Sequence, residues 1–457
     1  MLKYDNGSRF ARTMNSFWLA LAASASLVTS GLGANPFITS IYTADPSAHV
    51  WADGRLYVYP SRDMDPPRGC DLMDCYHVFS TDDMVNWRDE GEILRASEVP
   101  WGRKEGGFMW APDCAFKDGI YYYYFPHPSG TKWNDTWKIG VATSKNPASD
   151  FKVQGYIEGL GGFAMIDPCV FVDDDGQAYI YFGGGGHCAG GKLKSNMTAA
   201  DGSVQPMTGL EDFHEATWVF KRKGIYYLAY ADNHPGNNRM RYATSSAPLG
   251  PWMYKGIYLE PTGCDTTHGS VVEYKGQWYQ FYHDKSLSGQ GNLRSICVDK
   301  LFFNDDGTIR TVIQTKKGVP AVGPAPNPPM TKYPAANAAA GGGAVIADDN
   351  AAEGGKNAGN LHLADSYVEF SDVNGGKKGG RNTVTIHYAT PEKAKLRLSV
   401  NGVDYSFVNT LPTGAWNDYA GQSQLTVPLQ PGKTNVIRLT GGHGGVNVDY
   451  ITVSPLP

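Results

Sequence analysis

Charge, helix signals and metal- or redox-type cysteine patterns are all scarce in this sequence. Lys, Arg, Asp and Glu supply only 19% of its 457 residues, and the net charge is −5. No block of basic residues occurs, which removes the electrostatic footprint of a nucleic-acid binder. The seven cysteines are odd in number and contain no C-x-x-C pair, which argues against zinc ribbons, thioredoxin-like chemistry and a disulfide scaffold. Cys70 and Cys75 could bridge in an oxidising compartment; the others read as small buried residues. No P-loop lysine and serine follow a glycine run, and no nucleophile elbow is present. Past the N-terminus, no stretch is apolar enough to span a bilayer.

At the N-terminus, Lys3, Arg9 and Arg12 precede an apolar stretch over 17–28 and small residues through Ala34. This is the layout of a secretory signal peptide, expected over residues 1–34 with cleavage after Gly31 or Ala34. It predicts a secreted or periplasmic protein.

Aromatics are plentiful at 12%, with 27 tyrosines. They recur in a pattern. Gly54, Gly119, Gly176, Gly224 and Gly276 each follow Asp or Lys, and each is followed three residues later by a tyrosine. A turn dipeptide between apolar runs marks a hairpin. The intervals suit one four-stranded unit apiece, so the expected fold is all-β, a five-bladed β-propeller over residues 35–318. A Pro-, Ala- and Gly-rich linker is expected over 319–343. Alternating segments between Gly- and Asn-rich turns then predict a β-sandwich (jelly-roll) over 344–457.

The repeat serves as a ruler. Nine residues before each glycine stand Asp45, Trp110, Asp167, Glu215 and Thr267, with His268 next. Four residues before it stand Val50, Ala115, Val172, Phe220 and Val272, all apolar. If the strand entering each hairpin is the innermost of its blade, these starting positions converge on one end of the central channel. Three of the five are then carboxylates that repel one another, a cost a purely structural role leaves unexplained. Such a group drives its pKa values apart, leaving one acid protonated and another ionised, which is what cleavage of a glycosidic bond requires. Spacing alone does not assign the roles. The glycine run over 183–186 reads as a close-packed turn or a place where backbone meets a ligand.

The segments ADPSAHVWADGRLYVYPSRD, MWAPDCAFKDGIYYYYF, MIDPCVFVDDDGQAYIYFGGG, HEATWVFKRKGIYYLAYAD and THGSVVEYKGQWYQFYHD together resemble glycoside hydrolase family 43. The resemblance implies an inverting hydrolase with Asp45 as general base, Glu215 as general acid and Asp167 as modulator of the acid's pKa. Inversion means that the base activates water, with the acid and base about 6.5–9.5 Å apart. Glu215-Ala216-Thr217 departs from the family's usual triplet. Trp110 resembles an aromatic beside the substrate, or is a core tryptophan between blades. Arg294 resembles a substrate-contacting arginine, or is structural. His268 resembles a histidine near a channel calcium, or is simply hydrogen-bonded. No cofactor is required, and a structural calcium is possible. The activity implied is α-L-arabinofuranosidase on arabinoxylan, a plant cell-wall polysaccharide, with β-xylosidase, endo-arabinanase and a non-catalytic polysaccharide binder as alternatives. The C-terminal region resembles family 6 carbohydrate-binding modules, which implies sugar contacts from Trp416 and Asn447; His362 stands where a tyrosine is usual.

Overall fold

In a computed structural model, the described residues are 33–65, 69–132, 136–161, 165–323 and 330–455. The expected signal segment lies outside them but for its last two residues. The described chain is all-β, with one helical turn at Gly69–Leu72 and two 3-10 turns. No helix among the described residues is long and apolar enough to cross a membrane.

Residues 44–301 form five antiparallel sheets, four of four strands and a last one of three. Each is a meander in which consecutive strands pair, so the five hairpin signals fall between the first and second strand of every sheet. The first strands are Ala44–Val50, Asp113–Lys117, Cys169–Val172, Glu215–Arg222 and Ser270–Tyr274. Each touches the next, and the fifth returns to the first. They enclose an axial cavity of about 370 Å³ lined by Ala48, Cys114, Val170, Trp218 and Val271, one from each strand. The short fifth sheet is completed from the N-terminus: Phe37 N donates to the Ile296 carbonyl and Val298 N to Asn35 Oδ1. Both ends of the circuit are tied there, since Gly33 N bonds the Val319 carbonyl.

The hairpin turns are not all alike. Asp118–Gly119, Lys223–Gly224 and Lys275–Gly276 have positive φ at both positions, the two-residue turn whose twist matches the strands. At Gly54 and Gly176 only the glycine is left-handed, and Asp53 and Asp175 accept from the backbone two residues on. The glycine run over 183–186 is a close-packed turn. A Cβ on Gly183 would sit 2.1 Å from the His187 carbonyl, and one on Gly184 2.5 Å from Ile166.

The C-terminal residues build two sheets around one core that includes Val384, Ile386, Leu396, Leu398, Ile437 and Ile451. The expected linker is shorter than 319–343. Thr331–Pro334 pairs with Asn447–Pro455, and Ala339–Gly341 pairs with Tyr367–Val373. Alanine and glycine there fit strand edges lying close to their neighbours: Gly341 faces the Tyr367 ring, where a Cβ would meet it at 2.5 Å. This sandwich is docked on the first sheet. Gln424 and Thr426 accept from the backbone N–H of Trp87 and Asp89 at 2.8 and 3.2 Å, covering an edge strand that would otherwise be open. Thr39, Ser423 and Asn409 form a second buried link between the two parts. Cys75 is a buried free thiol, and the side chain of Cys70, its expected partner, lies outside the described residues.

Candidate active site

Asp45, Asp167 and Glu215 stand at or just before the starts of three first strands, and local backbone geometry aims them. Asp45 and Asp167 have φ of 48° and 52°, and each precedes a proline. Ala216, after Glu215, has φ of 66°, and pairing is irregular in both the Asp45 and Glu215 strands. Such bulges re-aim a side chain at the end of a sheet. His268 sits among the acids. Its Nδ1 lies 3.9 Å from Asp45 Oδ1 and 3.7 Å from Asp167 Oδ2. Asp167 Oδ2 in turn accepts from Ala216 N at 2.8 Å, the residue beside Glu215.

The three carboxyls have different surroundings. Asp45, 6% exposed, receives Arg294 Nη1 at 2.8 Å and the Ser61 hydroxyl at 2.7 Å. Burial alone would raise its pKa, but Arg294 foremost, with the neighbouring histidines and Ser61, outweighs it and holds Asp45 below the ordinary carboxylate value. Asp167 goes the other way. Burial raises it well above the usual value, and the charges of Glu215 and Asp45 add to the rise. Glu215 is also raised, by burial first, although His214 and a 2.6 Å hydrogen bond from Asn233 Nδ2 oppose it. Asp167 and Glu215 titrate as a pair, so a proton stays with that pair above the ordinary carboxylate range. His268 is pushed down to about 4, by burial above all, and is neutral at neutral pH. The arrangement is an ionised carboxylate facing a protonated pair across a neutral ring.

Arg294 is committed to holding Asp45. Its Nε and Nη2 take both oxygens of Asp63 at 2.9 Å, while Nη1 spans Asp45 and Thr266. The guanidinium fork is therefore largely used within the protein, which favours positioning of the base over direct substrate contact. Trp110 is half-buried, with its ring 4.4 Å from that of Trp137 and 5.7 Å from that of Phe108. Its carbonyl accepts from the Tyr76 hydroxyl, and Tyr76 feels the charges of Asp45 and Asp167. Trp110 is thus a packed aromatic near the acids. On the sandwich, Trp416 is 47% exposed, and Asn447 Nδ2 donates to its carbonyl at 2.8 Å, tying the two expected sugar contacts together.

The atoms around His268 do not make a calcium cage. A hard cation wants about six to eight oxygens. Here one imidazole is flanked by Asp45, already holding Arg294 and Ser61, and Asp167, already holding Ala216 N. Sequence reasoning missed Ser61, Asp63, Asn233 and His283, whose Nδ1 accepts from Asp45 N at 3.1 Å. Most of them stand at the ends of second strands, a place the repeat could have flagged by the same counting. Asp113 was missed too. It is fully buried and accepts from Ser47, Cys114 N and Val170 N, which ties the first three sheets together below the acids.

Comparisons with known proteins bear on this geometry. Residues 34–309 match the model for glycosyl hydrolases family 43, and residues 334–455 match that for carbohydrate binding module family 6. The chain is 37% identical over 335 residues to xylosidase/arabinosidase 43A of Humicola insolens, covering 60% of this chain and 98% of the relative. It is 29% identical over 455 residues to an arabinoxylan arabinofuranohydrolase of Bacillus subtilis, covering 86% of each. Among solved structures, a family 43 β-xylosidase/α-arabinofuranosidase from a compost microbial metagenome superposes with a TM-score of 0.56 at 36% identity, over 62% of this chain and 97% of that one. The all-β sheets are accordingly a β-propeller followed by a β-sandwich module. The match spans more than half the chain and includes every one of the three carboxylates, and the chain belongs to glycosyl hydrolases family 43.

Proposed function

We propose that the protein is an exported, inverting hydrolase that removes α-L-arabinofuranosyl side chains from arabinoxylan, built as a five-bladed propeller with a docked sugar-binding sandwich. The observation that carries this reading is the division of labour among the acids. Asp45 is kept ionised by Arg294 and Ser61, and the buried Asp167–Glu215 pair retains a proton. In the proposed reaction Asp45 takes a proton from water as the water oxygen bonds to the anomeric carbon. Glu215 gives its proton to the leaving oxygen as the glycosidic bond breaks. Asp167 shares the retained proton with Glu215 and, through Ala216 N, fixes the backbone that carries it. Trp416 and Asn447 would hold the polymer on the sandwich.

The arabinoxylan relative aligns along both parts of the chain, which supports this substrate. A second reading, β-xylosidase activity alongside arabinosidase, is favoured by the higher identity of the propeller to enzymes named for both. Hydrolysis of nitrophenyl arabinofuranoside, nitrophenyl xyloside and arabinoxylan separates them. Arabinose release from arabinoxylan is expected, and xylose without arabinose overturns the first reading. Proton NMR of the first sugar formed should show inverted configuration; initial retention would remove the water-activating role of Asp45.

A further inference from the structure

The docked sandwich leaves a cleft of about 330 Å³ between itself and the propeller. Tyr42, Leu287 and Ser288 form the propeller wall, and Lys393, Lys395 and His443 stand on the sandwich wall. The volume falls in the range of small-molecule sites, about 300–1,000 Å³.

The propeller wall grows from the segments that hold the base. Tyr42 stands three residues before Asp45, and Thr43 N donates to the Arg294 carbonyl at 2.9 Å. Ser288 donates to the carbonyl of Leu293, next to Arg294 in the chain. On the opposite wall, Lys395 Nζ lies 3.4 Å from Asp65, two residues beyond the Asp63 that clamps Arg294. The cleft is therefore walled on one side by segments continuous with the Asp45–Arg294–Asp63 network and on the other by the second domain.

Its chemistry suits a neutral sugar. The Tyr42 phenol, the Ser288 hydroxyl, two ammonium groups and the His443 ring offer hydrogen bonds to hydroxyls, while Leu287 offers an apolar patch to a C–H face. An acidic ligand is less suited, because Asp65 pairs with Lys395 and the charge of Asp284 reaches Lys393. Lys393 makes no ion pair within 4.0 Å among the described residues, so its donors are available.

We propose that this interdomain cleft binds a main-chain pyranose of the polysaccharide while its branch is cleaved at the carboxylates, an inference that rests on the functional reading above. The sandwich then acts as the second wall of the substrate site as well as a tether.

The test is a KM-against-kcat comparison of the full-length wild type with the Lys393→Ala/His443→Ala double variant, both residues being exposed. Soluble arabinoxylan and nitrophenyl arabinofuranoside are the two substrates. Loss of the hydrogen bonds should raise KM for arabinoxylan about tenfold at unchanged kcat, while the small substrate, too short to reach the cleft, keeps its KM. An unchanged thermal midpoint excludes misfolding as the cause. Equal changes on both substrates, or no change on arabinoxylan, overturn the cleft proposal. A wild type that turns over the small substrate but not arabinoxylan also overturns it. A wild type inactive on both instead overturns the functional reading, and the sugar assigned to the cleft falls with it.

Discussion

Asp45→Asn is expected to lower kcat by about 10²–10⁴-fold on every substrate, the usual worth of a positioned general base. The amide keeps the volume of the carboxylate, and its oxygen can still accept from Arg294 while its NH2 donates to the Ser61 hydroxyl, but it cannot take a proton from water. Folding should survive, because Arg294 retains its paired hydrogen bonds to Asp63 and its contact with Thr266. The supporting residues make the prediction specific. Asp45 sits below the ordinary carboxylate range because Arg294 and Ser61 offset burial. The acid limb of kcat/KM should therefore lie below that range. Ser61→Ala removes a donor to the charged form, so Asp45 becomes easier to protonate and the limb moves to higher pH. Rates measured across pH for the wild type, Asp45→Asn and Ser61→Ala check both steps. Near-normal turnover by Asp45→Asn would remove it from the reaction.

The parts of this site that could be read from sequence are those tied to the repeat. Asp45, Asp167, Glu215 and His268 emerged by counting back from a turn glycine, because each lies at or within two residues of the start of its sheet's first strand. That register survived even though the turns themselves differ, since Gly54 and Gly176 close a longer loop than Gly119, Gly224 and Gly276 do. Counting could not reveal contacts made between sheets. Arg294 stands just before the last strand of the fifth sheet and reaches Asp45 and Asp63 at the end of the first, more than two hundred residues away. Nothing near Arg294 in the chain marks it as a clamp rather than a substrate ligand. Asn233, by contrast, reaches Glu215 from just beyond the second strand of the same sheet, where counting could have flagged it. The sandwich shows the same division. Its alternating strands were legible, but Thr331–Pro334 was hidden in a proline-rich stretch, because its strand character comes from pairing with Asn447–Pro455 at the far end of the chain. Docking of Gln424 and Thr426 on the first sheet depends on side chains that look like ordinary exposed strand residues.

Glu215→Gln should separate substrates by their leaving groups. A sugar alkoxide must be protonated as it departs, so arabinoxylan turnover should fall by about 10²–10⁴-fold. Nitrophenolate is a stable anion and leaves with little help, so the nitrophenyl glycoside should lose far less. The variant side chain can still accept from Asn233 Nδ2, which keeps the local geometry and makes the comparison one of proton supply. The pH profile gives a second, independent reading. Burial raises Glu215, and the charge of Glu215 in turn raises Asp167, so the pair keeps a proton and wild-type activity should persist above the ordinary carboxylate range before the basic limb sets in. Removing the ionisable acid should erase that limb. Asp167→Asn should instead keep the limb and move it to lower pH, because a neutral neighbour no longer opposes ionisation of Glu215, while the amide oxygen can still accept from Ala216 N. Equal losses on the two substrates with Glu215→Gln would take the proton-donor role from Glu215. A limb that moved upward in Asp167→Asn would break the link between the two carboxyls on which the assignment of the acid depends.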